Sequence, residues 1–265
     1  MPRFKVSELS PVARTMLIAL AYRAVESQRQ DALLKDDQAV TLVGEFDEDF
    51  TRLIRKGGMD PTCTVMRVRQ FDRFAQTFLS QHPHGSVVDI GCGLTTRFQR
   101  VDNGQMSWFG LDLPEVIEIR RKLLPEEART HLISRSILDD AWMEEITPPA
   151  IFLAEGVLPY LQEADIRHLM QKLGERFPGT EIVFDAINSF SMKAHRLDPT
   201  LRKALLEIHW VLDDSQVLET WGTGIRVLEE WKYFDKNEPR LRLYNWMRYI
   251  PAFNKANYIL RVRLG

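Results

Sequence analysis

Two cysteines in 265 residues, Cys63 and Cys92, make neither a disulfide framework nor a zinc-ligand cluster. Surplus charge is also missing. The 35 Lys and Arg stand against 37 Asp and Glu, a formal net charge of -2, which argues against grip on nucleic acid through a general positive excess. No run approaches the ~18 uninterrupted apolar residues of a membrane span, and Met1-Pro2-Arg3-Phe4-Lys5 lacks the apolar stretch of a secretory leader. The chain has no repeat and no low-complexity tract. These absences predict a cytoplasmic protein without metal, nucleic-acid or membrane partners, and leave its oligomeric state open. Core-forming residues are plentiful. At 45% hydrophobic and 27% charged, the chain can build one large domain or a domain with a modest cap.

The first third has helical texture, with Leu9, Val12, Met16, Leu17, Leu20, Ala21 and Ala24 at helical intervals. Shorter helices are predicted over 38–43 and 47–54, and a long one through Met66, Phe71, Phe74, Phe78 and Leu79, ending near His82-Pro83. After Gly85 short apolar runs alternate with helix-like segments. The runs begin at Val87, Trp108, His131, Ile151 and Glu181, the clearest helices at Val116 and Ala164. Such alternation, with nearly continuous apolar strands, predicts a parallel sheet covered on both faces. Residues 187–218 read as mostly helical, and two late strands are expected over 225–234 and 258–262. The predicted organisation is a helical lid over 1–84 and a core over 85–265, with an inserted, aromatic-rich acceptor region at about 187–222.

The most informative stretch is Val87-Val88-Asp89-Ile90-Gly91-Cys92-Gly93-Leu94, a strand running into a Gly-x-Gly turn. Neither glycine has a Cβ, so backbone can approach a ligand closely. The dinucleotide fingerprint needs a third glycine where Thr96 stands, and no Gly-Lys-Ser/Thr makes a Walker loop. Acids then recur at strand ends. Asp112 closes the second strand, where a carboxylate accepts both hydroxyls of a ribose. Asp139 follows the third, placed to accept from an adenine amine, and Glu155-Gly156 follow the fourth. Each acid alone is as well explained as a helix cap, but Asp89, Asp112, Asp139 and Glu155 together predict an acidic cleft at the carboxyl edge of the sheet. That cleft suits a cationic nucleoside such as S-adenosyl-L-methionine. Arg67 and Arg69, on the long helix, are both candidates for its carboxylate.

These residues resemble the leucine carboxyl methyltransferase family and, more narrowly, its polyketide (tetracenomycin-type) O-methyltransferase branch. The likeness runs through the head segment from Thr15 to Ala24, Leu33 to Ala39, Arg67 to Asp72, the glycine loop to Phe98, Leu111 to Val116, Ala154 to Leu161, and Pro178-Gly179 before Val183-Phe184-Asp185. One departure is Thr95, where the family often carries Asp. The resemblance implies an α/β, class I S-adenosylmethionine-dependent methyltransferase fold, Rossmann-like, with a seven-stranded mostly parallel sheet and an N-terminal helical lid. It also implies O-methylation. The residues assigned to the cofactor are Arg67, Arg69, Asp89, Gly91, Gly93, Asp112, Leu113, Leu138, Asp139, Glu155 and Gly156.

Methyl transfer from a sulfonium requires nucleophile, methyl carbon and sulfur to be held collinear and dry. A carboxylate acceptor is already ionised near neutral pH, whereas a phenol, with a pKa of about 10, gains from a general base. His195 and His209 follow the fifth strand and are the candidates for that base. Trp210, Trp221, Trp231, Tyr233, Tyr244, Trp246, Tyr249 and Phe253 line either a flat acceptor's pocket or ordinary core. Tyr22 and Arg23 are placed to close over the cofactor, with packing and a solvated charge as the plainer alternatives. Cys92, at a turn before a helix, is a candidate for a lowered thiol pKa. The expected activity is methylation of a carboxylate or phenolic hydroxyl on a small acceptor, with a polyketide-like molecule as one candidate. Two alternatives stand beside it: a protein C-terminal carboxyl methyltransferase, and a non-catalytic module that only binds the cofactor.

Overall fold

The computed structural model describes residues 4–50, 61–197, 208–236 and 238–265. Ser10 opens the first helix, α1 (Pro11–Ser27), by accepting from the Ala13 amide, with Pro11 at the position where its missing N–H costs nothing. Asp36 caps α2 (Asp37–Val43) through the Ala39 amide. The long helix α3 (Pro61–Gln81) buries Phe71, Phe74, Ala75 and Leu79, a 3–4 spacing that gives it one apolar face. Of the helix predicted over 47–54, residues 51–54 fall outside the described set, and 47–49 form no helix.

From Ser86 onward strands and helices alternate: β1 (Ser86–Ile90), α4 (Arg97–Val101), β2 (Ser107–Asp112), α5 (Pro114–Leu123), β3 (Thr130–Ser134), β4 (Ala150–Ala154), α6 (Glu163–Arg176) and β5 (Glu181–Ile187). Then come α7 (Ser189–Leu197), β6 (Arg226–Lys232), a 3-10 segment over Pro239–Tyr249, α8 (Pro251–Asn254) and β7 (Asn257–Arg263). The seven strands lie in the order β3-β2-β1-β4-β5-β7-β6, parallel except for β7, which runs against both neighbours. Parallel strands are what the alternation predicts, and the seven-stranded, mostly parallel, Rossmann-like sheet is what the resemblance implies.

Every residue of β1 and β4 is buried, as expected for central parallel strands covered on both sides. Alternation splits them between two cores. Val88, Ile90, Phe152 and Phe184 pack with Ile166, Leu169 and Leu173 of α6. Val87, Ile151, Leu153 and Val183 pack with Phe71, Phe74 and Leu79 of α3. Side chains of this size stabilise by ~1.5–3 kcal/mol each when fully buried. A third cluster joins α1 and α2 to Leu94, Val116, Ile119 and Leu124, so the head packs on the glycine loop and α5.

Part of the region predicted to be mostly helical departs from that reading. Helix α7 ends at Leu197, and 208–214 form no helix. Trp210 and Leu212 are buried two apart, a strand-like period, while the Trp210 amide donates to the Pro159 carbonyl and the Leu212 amide to the Ile187 carbonyl.

Candidate active site

β1 lies between β2 and β4, so successive crossovers leave it in opposite directions and open a crevice at its carboxyl end. A cavity of about 390 Å³ occupies that crevice, walled by α1, Arg67 of α3, the glycine loop, and the ends of β2 and β4. Gly91 (φ 67°) and Gly93 (φ 45°) take the left-handed backbone that only glycine adopts freely. A Cβ on Gly91 would come within 2.4 Å of Val157 Cγ2, and one on Gly93 within 3.1 Å of Met16 Cβ. The loop therefore turns tightly between α1 and the segment after β4.

The loop turns Gly93 N–H towards Asp112, whose Oδ2 accepts it at 2.7 Å while Oδ1 accepts from the Leu113 amide at 2.8 Å. Burial pushes the Asp112 carboxyl above its ordinary value, opposed by those two amides and by Arg120. This acid is thus pinned at the cavity wall by backbone donors, with no side-chain cation bonded to it among the described residues.

Beside it runs an ion network. Arg97, 1% exposed, donates from Nε to Asp72 at 2.9 Å, from Nη1 to Asp89 and from Nη2 to Glu155 at 2.6 Å. Arg67 donates from Nε to the other oxygen of Glu155 at 3.1 Å and from Nη1 to Asp185 at 3.0 Å. Asp185 also accepts from the Gly156 amide. On the head side, Arg23 donates to Asp36 at 2.5 Å, to Thr96 Oγ1 at 2.6 Å and to the Leu94 carbonyl at 2.7 Å. Arg100 joins the halves by donating to Asp72 at 2.6 Å and Asp36 at 3.2 Å. Four guanidiniums thus meet five carboxylates, tying α1, α3, α4, β1, β4 and β5 together. Burial works against the charge of Arg67 and Arg97, yet the adjacent acids hold both guanidiniums even more firmly protonated than usual. Burial lifts the carboxyls of Asp89 and Asp185, against the pull of Arg97 and Arg67 respectively.

The structure separates the two candidate arginines. Arg67 lines the cavity, whereas Arg69 is exposed on another face of α3 and does not reach it. Asp89, Gly91, Gly93, Asp112, Leu113, Leu138, Glu155 and Gly156 all line the cavity. Asp139 does not. Its carboxylate caps the following turn through the Ala141 amide and pairs with Arg135 at 2.8 Å, which takes it away from the wall where Leu138 remains. Asp89 lines the wall with both oxygens engaged, one by Arg97 and one by Trp108 Nε1 at 2.7 Å.

Other expectations are corrected too. Burial pushes the Cys92 thiol up rather than down, because the buried site penalises the thiolate more than Arg120 favours it. Arg23 is no solvated charge: it is 3% exposed and bonded to the glycine loop. His209 is exposed and lies off the cavity, and the side chain of His195 lies outside the described set. Trp210 and Trp221 belong to the core on the α6 face, Trp231 and Tyr233 to the core on the α3 face. Tyr244, Trp246 and Tyr249 face solvent, and Phe253 packs against Trp246 and Phe190. The tyrosines that do line the cavity are Tyr22 and Tyr160.

Sequence reasoning left Arg97 and Asp185 out of the site. Arg97 carried a usable signal. It opens α4, where the helix dipole disfavours a cation, so an acid partner must hold it there. Asp185 offered none, since its partners lie 29 and 118 positions away.

Residues 16–174 match the family model described as leucine carboxyl methyltransferase. The chain is 31% identical to the tetracenomycin polyketide synthesis O-methyltransferase TcmP of Streptomyces glaucescens, over 96% of this chain and 97% of that protein. It is 27% identical to the S-adenosyl-L-methionine-dependent methyltransferase dpfgK of Gibberella zeae, over 96% and 90%. Among solved structures it resembles a DUF574 family protein of Streptomyces avermitilis, at TM-score 0.59 and 14% identity over 93% of this chain and 97% of that one. It also resembles the methyltransferase domain of bacterial CtHen1-C, at TM-score 0.50 and 18% identity over 75% and 98%.

Proposed function

This chain belongs to the leucine carboxyl methyltransferase family and is an S-adenosylmethionine-dependent methyltransferase, and from that premise we propose that it methylates an oxygen of a small acceptor, a carboxylate in the first place. One observation carries the assignment of the cofactor to the cavity. Asp112 sits at the end of β2, fixed by the Gly93 and Leu113 amides, on the wall of a space of about 390 Å³. Small-molecule pockets run to ~300–1,000 Å³, so the volume fits the whole cofactor.

The donor set fits it as well. Asp112 is the acceptor for the ribose hydroxyls. Gly91 and Gly93 let backbone come close, and Leu113 and Leu138 are the apolar contacts offered to the base. Arg67 is the cation for the amino-acid carboxylate, since among the described residues Nη2 is left after Nε and Nη1 have engaged Glu155 and Asp185. Arg69 and Asp139 have no part in this reading. When bound, S-adenosylmethionine supplies an electrophilic methyl group on a positively charged sulfur. The chain's own work is to hold and dry the site: α1 covers one side with Met16, Ile18, Ala19 and Tyr22.

A carboxylate acceptor is favoured over a phenol by the state of the wall's titratable groups. Apart from Asp112, which this reading gives to the ribose, its acids Asp89 and Glu155 are bonded to guanidiniums, and Tyr160 is lifted above its usual value by burial and by Asp185. A carboxylate needs no base, because it is ionised near neutral pH.

Calorimetric titration with S-adenosylmethionine and S-adenosylhomocysteine tests the site. Micromolar binding, about -8 kcal/mol, is expected, weakened by ~1–3 kcal/mol in Asp112→Ala. Unchanged affinity in that variant removes Asp112 from the ribose. Turnover on panels of carboxylic acids and phenols then reads the acceptor. Methylation of phenols alone reverses the preference stated here, and methylation of protein C-termini favours the family's other reading.

A further inference from the structure

Arg120 belongs to neither the cavity wall nor the ion network. It stands in α5, 4% exposed, and lines a separate cavity of about 170 Å³. Its Nη1 donates to two carbonyls of the glycine loop, Gly93 at 2.9 Å and Thr95 at 2.8 Å. The guanidinium lies over the Trp108 ring, 4.7 Å from the centroid, and Trp108 in turn donates to Asp89. Its Nε is buried and has no hydrogen-bond partner among the described residues.

Burying a guanidinium with a donor unmatched is costly, so the two loop contacts and the ring must hold it there. Each clamped carbonyl also fixes the next amide, because a planar trans peptide points its N–H opposite to its C=O. Clamping Gly93 therefore orients Leu94, which lines the main cavity, and clamping Thr95 orients Thr96, which bonds Arg23.

We propose that Arg120 is a positioning residue for the cofactor. It holds the glycine loop in its receiving shape and sets a positive charge behind the loop, on the side of Asp112. The proposal rests on the cofactor reading above. The groups that face Asp112 are Arg120, the Gly93 and Leu113 amides, Glu115, and the Cys92 thiol, which burial keeps uncharged. Arg120 and the amides favour the carboxylate, whereas Glu115 and burial oppose it. Loss of Arg120 loosens the loop and raises the Asp112 carboxyl, and both effects weaken binding.

The test titrates S-adenosylhomocysteine into the wild type, Arg120→Met and Arg120→Lys, across pH, with thermal melting run alongside. Arg120→Met is expected to bind at least tenfold more weakly, ~1.4 kcal/mol, with its loss of affinity on acidification displaced to higher pH. Arg120→Lys keeps the charge and is expected to lose about threefold, with its pH limb where the wild type has it. A melting temperature that falls while affinity and pH limb stay at wild-type values makes Arg120 merely structural and overturns the proposal. If Arg120→Met does not fold, parity of Arg120→Lys with the wild type overturns it equally. Failure of the wild type itself to bind overturns the cofactor reading underneath.

Discussion

The glycine loop with β2 and the last quarter of the chain are both rich in suggestive residues, yet they translate into structure very differently. In the first, Gly93 and Asp112 lie 19 positions apart and meet through one hydrogen bond, from the Gly93 amide to the Asp112 carboxylate. β1, the turn, α4 and β2 follow one another along the chain, so a single strand–turn–helix–strand unit decides the geometry. In the second, eight aromatic residues share no local frame. Trp210 is 3% exposed in one core, Trp231 is 5% exposed in the other, and Tyr249 is 80% exposed on the surface. Aromatic richness announces burial somewhere but not which side of the sheet receives each ring.

Four substitutions sharpen that contrast. Arg97→Met leaves Asp89 without its cation, and Asp72 and Glu155 with only Arg100 and Arg67 respectively, and is expected to lose the most stability, ~3–5 kcal/mol by chemical denaturation. A loss under about 1 kcal/mol would mean that the acids find protons or water at little cost. Trp210→Ala is expected to cost ~3–5 kcal/mol as a core truncation while leaving S-adenosylhomocysteine affinity at the wild-type level; a joint loss of affinity would return this ring to the site.

Asp36 gives a pH signature. Burial raises its carboxyl, but Arg23, Thr96 and Arg100 outweigh that and hold it below its ordinary value. The stability it contributes is therefore complete above the unfolded pKa of ~3.9 and is lost as pH falls through the lower folded value. Asp36→Asn should trail the wild type by about 1.5–3 kcal/mol at neutral pH, and the gap should close below pH ~4. A gap that persists undiminished in acid would show that the contribution is not the ionised carboxylate's. Smallest of all, Tyr249→Ser should change stability by less than ~0.5 kcal/mol; a larger loss would mean that the exposed ring is covered in solution.

The same contrast explains what could be read from the residues alone. Strands β1 to β5 were legible because each is a short apolar run bounded by breaks, and β7 because Tyr258 to Val262 has the same texture. The stretch around Trp210 was misread as helical, since its period-2 burial depends on contacts with Pro159 and Ile187 far off in sequence. Within the site, Gly91, Gly93, Asp112 and Glu155 follow from strand ends. Arg67 could be separated from Arg69 only once the α3 face was known, and Asp139 was lost to a cap that competes for the same carboxylate. Arg120 escaped notice because its partners are carbonyls, which every residue possesses.

The antiparallel β7 also bears on how the molecule comes into being on a ribosome. It slots between β5 and β6 but follows both in the chain, so β6 has no neighbour in the sheet until β7 has been made. The main cavity is lined by residues from Thr15 to Leu161. At roughly 5–20 residues per second of synthesis, all of that wall is polymerised several seconds before the sheet can close. Asp185, which steadies Arg67 and Gly156, arrives in between. The nascent chain thus holds every residue that lines the cavity while its sheet is still two strands short.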